Sequence, residues 1–303
     1  MISSRRLIAI AAAAAGVGLA PANRDGIYIW SGAALGAAAR ISIAGLAPSQ
    51  AERVAHMARD EAFRLEAAFS LYRPDSELAR LNRDGRLPHP SQDFRLLLGR
   101  SLAAWEMSGG AFNPALQPLW RHLARHFAEA GAGPPDPREI ARALALADPA
   151  RIELSNREVR LAPGMALSLN GIAQGYVTDC AAALLAAEGL GDILIDLGEL
   201  RALPGRAWDV AIAGTPERVA LSGRAIAQSA GSATPFTADG AWHHLLDPET
   251  GRSASRYATL TVAAPLAADA DWLSTALYAL PPERHAPVLA RVSGAAARFT
   301  TRA

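Results

Sequence analysis

In ADADWLSTALYAL, residues 268 to 280, Asp271 and Thr275 stand four residues apart. On a helix they share one face and offer a carboxylate and a hydroxyl to the same point. Hard oxygen donors so arranged suit Mg²⁺, which keeps several waters and takes its other ligands from substrate phosphates. A bland reading stands beside it: an Asp near a helix start caps it, and a mid-helix Thr bonds the preceding turn. A second stretch, LNGIAQGYVTDCAAALL at 169 to 185, passes from an apolar run through Gly171 and Gly175 into a helical segment. Two residues without side chains at a helix start mean either tight packing or a backbone that must approach something other than protein.

Three further stretches carry polar or aromatic groups. HHLLDPETG, residues 243 to 251, ends an expected strand in an Asp-Pro turn closed by Gly251. Alternation along a strand sends His243 and His244 to opposite faces. His244 is a candidate proton acceptor, with a satisfied structural histidine as the competing reading, and Asp247 is ordinarily a turn former. SGGAFNPALQPLW, residues 108 to 120, bends at its glycines before Phe112 and Asn113, which either accept an aromatic ring and hydrogen-bond its edge or simply turn a corner. SLYRPDSELARLN, residues 70 to 82, exposes Tyr72 before a turn at Pro74 and Asp75, where an aromatic stacks on a planar ligand or roofs the core.

The elements that position these groups follow from periodicity. IYIWSGAALGAAARISIAG reads as strand with bends around Gly32 and Gly36. The next segment reads as a helix opened by a capping box of Ser49 and Glu52, with Val54, Met57, Ala58, Phe63 and Leu65 at helical spacing. A helix is expected from Asp93 to about Met107, and another behind Asp136 as N-cap, with Pro137 in its first turn and Glu139 three residues after the cap. Residues 131 to 137 read as a hinge or inserted loop. Beyond residue 150 come short strands, RIELS, EVRLA, DILIDLG, WDVAIAG, RAIAQSAG, AWHHLLD and YATLTVAA, broken by the helix after Gly175 and one near 271 to 280. Strand runs mixed with a few long helices imply an α+β fold around a largely antiparallel sheet.

Composition limits the choices. Half of the 303 residues are apolar, enough for one large domain or two closely joined lobes over residues 23 to 303. The formal charge of +1 and the scattered arginines provide no basic field for nucleic acid. Without lysine, no Gly-x4-Gly-Lys nucleotide loop exists. The opening MISSRRLIAIAAAAAGVGLAPAN has a basic pair, Arg5 and Arg6, an apolar run short for a bilayer, and a small-x-small site ending at Ala22. It reads as a cleaved export signal of the twin-arginine type over residues 1 to 22, hence a periplasmic protein, with an uncleaved inner-membrane anchor as the alternative. Cys180 is the single cysteine, which excludes an intrachain disulfide and a thiolate cluster; inside an Ala/Leu-rich helix it reads as a small buried hydrophobe.

Taken in order, SGAALG, SLYRPDSELARLN, GGAFNPALQPLW, LNGIAQGYVTD, DLGELRALPG, HHLLDPETG and ADWLSTAL resemble the ApbE-type FAD:protein FMN transferases over nearly the whole mature chain. The resemblance implies a T-fold-like α+β architecture with flanking helices and a central FAD cleft. It implies Mg²⁺-dependent transfer of the FMN half of FAD to a Ser/Thr hydroxyl of a target protein, with release of AMP. Carried onto this sequence, Leu35, Tyr72, Ala111, Phe112, Asn113 and Gln174 belong to the FAD environment. The main-chain carbonyl of Ala173 joins Asp271 and Thr275 as metal ligands, and His244 with Asp247 forms the catalytic pair. The bare glycines then let a carbonyl touch the ion and the diphosphate lie close.

The implied partners are FAD and an acceptor flavoprotein, a subunit of an electron-transfer complex near the inner membrane, in the manner of an exported NosX-like subgroup. Gln174 stands where many relatives carry Lys or Glu, Asn113 replaces a more usual Asp, and Glu199 in DLGEL sits where relatives often show a second glycine. An FAD pyrophosphatase with water as acceptor, and a non-catalytic FAD-binding protein, are the alternatives from other classes.

Overall fold

The computed structural model describes residues 22–24, 26–34, 36–129 and 133–301. In chain order the strands are β1 (Ala22–Arg24), β2 (Ile27–Ala34), β3 (Ala37–Ala44), β4 (Arg86–Pro88), β5 (Glu153–Leu154), β6 (Glu158–Arg160), β7 (Ile193–Asp196), β8 (Leu200–Ala202), β9 (Trp208–Ala211), β10 (Arg218–Leu221), β11 (Ala225–Ala230), β12 (Tyr257–Ala264) and β13 (Ala296–Thr301). The helices are α1 (Pro48–Phe69), α2 (Glu77–Asp84), α3 (Gln92–Met107), α4 (Gln117–Ala128), α5 (Pro137–Leu144), α6 (Ala173–Ala187), α7 (Ala267–Ala279) and α8 (His285–Leu289). The chain divides into two compact units, the first comprising residues up to Glu66, Gln174–Ala227 and Ala263–Asp271, the second Ala67–Ala173, Gln228–Val262 and Trp272 onward. The expected α+β class holds, and the strand pairs in register are antiparallel.

In the first unit the sheet order is β1-β2-β3-β7-β8-β11. Ile41 pairs with Ile195 and Ile43 with Ile193 across β3 and β7, and all four are buried. Opposed residues of an antiparallel pair share a face, so these isoleucines form a single apolar stripe. The antiparallel hairpin of β9 and β10 belongs to a separate cluster, where Trp208, Val210 and Leu221 pack with Ala202 and Ile226 and against Leu194 and Leu200. α1 buries Ala51, Ala55, Ala58, Ala62 and Leu65 at three- and four-residue spacing; of the expected stripe Val54, Ala58 and Leu65 are buried, Met57 is half-buried and Phe63 is exposed.

In the second unit β4, β6 and β5 form a small sheet, and β12 lies beside β13. Its helical core joins Leu119 and Leu123 of α4 to Ile140 and Ala143 of α5 and to Leu246, with Trp120, Phe127, Phe236 and Trp242 packed around them. Residues 131 to 137, expected as a hinge or inserted loop, fall between two helices of one cluster within a unit, which leaves the loop reading; 131 and 132 lie outside the described residues. So does the expected export signal, apart from Ala22, which opens β1. Among the described residues no helix is long and apolar enough to cross a membrane.

Several local expectations are corrected. The stretch after Gly26 is a full hairpin, β2 against β3; its turn is at Gly36, while Gly32 is a ladder residue opposite Ala39. α1 begins before Ser49, so Ser49 and Glu52 form no capping box. Instead the Gln50 side chain accepts from the Ala47 N–H at 3.3 Å, with Pro48 in the first turn. AWHHLLD is not a strand: only isolated bridges join Pro235 to His243 and Leu246 to Ser253. α2 and α4 occupy stretches that read as loops, and α2 is capped by Ser76, whose hydroxyl accepts from Ala79 N–H at 3.0 Å. Cys180 is half-buried rather than buried.

Gly175 separates packing from propensity. A Cβ there would sit 2.3 Å from the Ala267 carbonyl oxygen at the start of α7, against backbone that cannot move aside alone. Gly99, inside α3, would meet only Leu154 Cδ2 at 3.9 Å. Gly175→Ala is expected to cost about 3 kcal/mol through overpacking, whereas Gly99→Ala is expected to add about 0.5–1 kcal/mol of helix stability. Urea midpoints of the two variants should move in opposite directions.

Candidate functional site

Gly171 and Gly175 each meet one of the residues picked out on α7. The turn at 169–172 closes with Ala173 N–H donating to the Leu169 carbonyl at 2.8 Å, and α6 starts there. Within the second unit, a Cβ on Gly171 would lie 3.0 Å from Thr275 Oγ1 and 3.2 Å from Phe112 Cε2, so the bare backbone is what lets hydroxyl and ring approach. Within the first unit, Gly175 N–H donates to Asp271 Oδ2 at 3.1 Å. Asp271 is buried, and its carboxyl is raised above the usual range, first by desolvation and then by the charge of Asp179, against the lowering effect of the Gly175 amide. Burial beside another carboxylate disfavours its negative charge, and an added cation relieves that. Asp271 in the first unit and Thr275 in the second each present a hard oxygen donor, the donor chemistry that suits Mg²⁺.

Asp179 was not singled out by sequence reasoning. Its two oxygens accept from Ala267 and Ala268 N–H, both at 2.9 Å, and so cap α7 from α6. Arg201 approaches at 3.6 Å and also donates to the carbonyls of Gly223 and Pro265. The available signal was an acidic residue on the same face as Gly175, one turn further along the helix.

Gln174 is also placed by packing. Gly198 has φ of 108° and its Cβ would fall 2.5 Å from Gln174 Nε2, so the amide side chain lies over a glycine that no other residue could replace without strain. Glu199 follows that glycine, so the open backbone of DLGEL is at Gly198 and is covered by Gln174.

His243 and His244 differ sharply, though not by strand faces. His243 is fully buried, its Nε2 2.8 Å from the Ala254 carbonyl and its Nδ1 accepting from Leu245 N–H at 3.3 Å, which is the satisfied structural state. His244 is half-buried; its Nδ1 is sealed from solvent and has no hydrogen-bond partner among the described residues. Desolvation, with a smaller contribution from His243, pushes its pKa down to about 4, so at neutral pH the ring is uncharged and able to take a proton. Asp247 does not bond it. The Asp247 oxygens accept from Glu249 N–H at 2.8 Å and Thr250 Oγ1 at 3.0 Å, and Gly251 N–H closes the turn on its carbonyl at 2.8 Å, so Asp247 builds the expected turn.

Phe112 and Ala111 are buried, and Asn113 turns the corner, donating to the Ala147 carbonyl at 2.9 Å and accepting from Ala115 N–H at 2.8 Å. Tyr72 is 64% exposed on a loop whose backbone N–H groups at Tyr72 and Arg73 donate to Ser70 Oγ. A flat exposed ring held by a fixed loop suits stacking. Leu35 lies outside the described residues.

The model of the ApbE family matches residues 35–299. An FAD:protein FMN transferase of Treponema pallidum is 33% identical over 280 residues, 80% of this chain and 77% of that protein. One from Haemophilus influenzae is 28% identical over 249 residues, 71% of this chain and 69% of that one. Among solved structures, the apo form of the Pseudomonas stutzeri flavinyl transferase ApbE aligns with a TM-score of 0.79 at 27% identity, covering 95% of this chain and 94% of that chain.

Two measurements check this geometry. Asp179→Ala leaves two helix amides and Arg201 without their carboxylate and is expected to cost about 2–4 kcal/mol in urea unfolding; Asp179→Asn, which keeps an acceptor oxygen, should cost less. An unfolded histidine takes its proton near pH 6.5 but folded His244 only near 4, so between these values the unfolded state alone gains the proton and stability falls as pH falls. From pH 7 to 5 that loss is about 2 kcal/mol. His244→Gln should remove this increment, seen as a flatter stability profile than that of the parent chain.

Proposed function

The chain belongs to the ApbE family, and from that premise we propose that it is an FAD:protein FMN transferase, moving the FMN half of FAD to a Ser/Thr hydroxyl of a target protein and releasing AMP. The names of its relatives support the reaction. The observation that carries it to particular residues is the glycine-bared stretch 171–175, with Thr275 against Gly171 and Asp271 bonded to Gly175. The Ala173 carbonyl, Asp271 and Thr275 would hold Mg²⁺, which supplies positive charge to the diphosphate and the departing phosphate.

The chain's own groups divide the remaining work. The acceptor oxygen forms a bond to the FMN phosphorus while the phosphoanhydride bond to AMP breaks, with the electron pair leaving on AMP. The hydroxyl proton passes to His244, which is neutral at working pH; the approaching diphosphate raises its basicity by its negative charge. Tyr72 offers a stacking face, Phe112 an apolar wall, and Gln174 an uncharged amide where relatives carry charge. Asp247 holds the turn that carries the histidine. The leader pattern of residues 1 to 22 supports export to the periplasm, where an acceptor subunit of an electron-transfer complex would be met.

The test is an acceptor peptide of the D-x-x-[S/T]-G-A-[S/T] kind, incubated with FAD and Mg²⁺ and read by mass spectrometry. A gain of one FMN is expected, lost on chelation and in Asp271→Ala, and reduced about 100-fold or more in His244→Ala. FMN and AMP without modified peptide would convert the assignment to a hydrolase; unchanged FAD would leave binding alone.

A further inference from the structure

Six arginines between positions 83 and 160 meet around one groove of about 880 Å³ in the second unit, against two carboxylates in its lining. Arg83 pairs with Asp84 at 2.9 Å, and Arg142 pairs with Glu139. Arg86 and Arg160, opposed across β4 and β6, share Glu158. That leaves Arg121 and Arg125, one turn apart on α4, with no carboxylate partner among the described residues; the Arg125 Nε donates only to the Arg121 carbonyl at 3.2 Å. Between them His122, also in the lining, carries a buried Nε2 without a hydrogen-bond partner among the described residues. Partial burial and the charge of Arg125 both pull the Arg121 guanidinium below its usual range, the direction expected for a cation lacking its counter-charge.

We propose that this groove docks an acidic segment of the acceptor protein. The charges are spread over α2, β4, α4, α5 and β6 rather than focused on one point, so they match a row of carboxylates along an extended chain better than a single phosphate. The volume lies near the upper end of small-ligand pockets, about 300–1,000 Å³, and suits several side chains of a peptide. Two guanidiniums in one helical register accept carboxylates in the fork geometry arginine favours, and Leu146, Leu161 and Met165 line the groove for the stems between them. A surplus of cations around a groove steers an acidic partner and raises its association rate. The identity of the segment as part of an acceptor rests on the transferase reading; its acidity rests on the groove.

The experiment measures binding without FAD, so that it stands apart from catalysis. A labelled peptide of alternating Glu and Gly is titrated by fluorescence anisotropy with the full chain, beside its Gln counterpart and with inorganic phosphate and pyrophosphate as competitors. The acidic peptide is expected to bind and the Gln peptide not to, with affinity falling as salt rises and about tenfold weaker in Arg121→Gln/Arg125→Gln. Arg86→Gln, on another element, should weaken it by a smaller factor, and circular dichroism should show each variant folded. Equal binding by the charge-neutral peptide, unchanged binding in the folded double variant, or displacement by phosphate at concentrations where the peptide itself binds weakly would overturn the proposal. Binding without any FMN transfer to an acceptor would refute the transferase reading and leave the groove standing. In a transfer assay, an acid-flanked acceptor should show a raised KM and unchanged kcat in the double variant, while an unflanked acceptor shows neither change.

Discussion

Everything placed near Asp271 depends on how closely the start of α7 approaches the start of α6. The Ala267 carbonyl occupies the space a side chain on Gly175 would need, and the Gly175 amide is thereby aimed at the Asp271 carboxylate. Asp179 fixes the same approach from one turn further on, by holding the first amides of α7. Two carboxylates are thus partly or wholly removed from water in one small region, which is costly unless each finds positive partners. Asp179 has helix amides and Arg201. Asp271 has the Gly175 amide, and burial still outweighs that bond. The imbalance separates a carboxylate that holds the fold from one that a cation would stabilise.

The sequence was most legible where local chemistry decides the outcome. Asp136 and Pro137 announce α5 because an N-cap and a fixed φ act on adjacent residues, and the cap bond to Arg138 N–H is present at 2.8 Å. The α7 pair was readable because a four-residue spacing has one meaning on a helix. AWHHLLD failed for the opposite reason. Its alternation is that of a strand, yet Ser253 Oγ bonds both the N–H and the carbonyl of His243, and the Thr234 carbonyl takes the N–H of His244. The backbone demand that would have driven a ladder is met by loop partners. Strands of three residues, such as β4 and β8, are too short to show any period.

Site residues divide along the same line. Asp271 and Thr275 were visible as a pair, whereas the roles of Asp179 and Gln174 depend on partners distant in sequence, Ala267 and Gly198. The histidines illustrate the limit most clearly, since neighbouring residues of one type have opposite fates. One is satisfied by a carbonyl eleven residues on, and the other is left with an unpartnered nitrogen. Nothing in the dipeptide distinguishes them; the turn that Asp247 builds and the chain at Thr234 do.

Charge follows this logic on the scale of the whole chain. A formal charge of +1 and arginines scattered along the sequence argue against nucleic acid, and that argument concerns the average field. Local potential depends on which charges the fold gathers. Positions from 83 to 160 lie far apart along the chain, but a three-stranded ladder and the packing of α4 on α5 bring their guanidiniums to one rim, while most of the carboxylates lie elsewhere. A nearly neutral protein can therefore present a concentrated cationic surface. The attraction is local and short-ranged at ordinary ionic strength, where screening acts over about 8–10 Å.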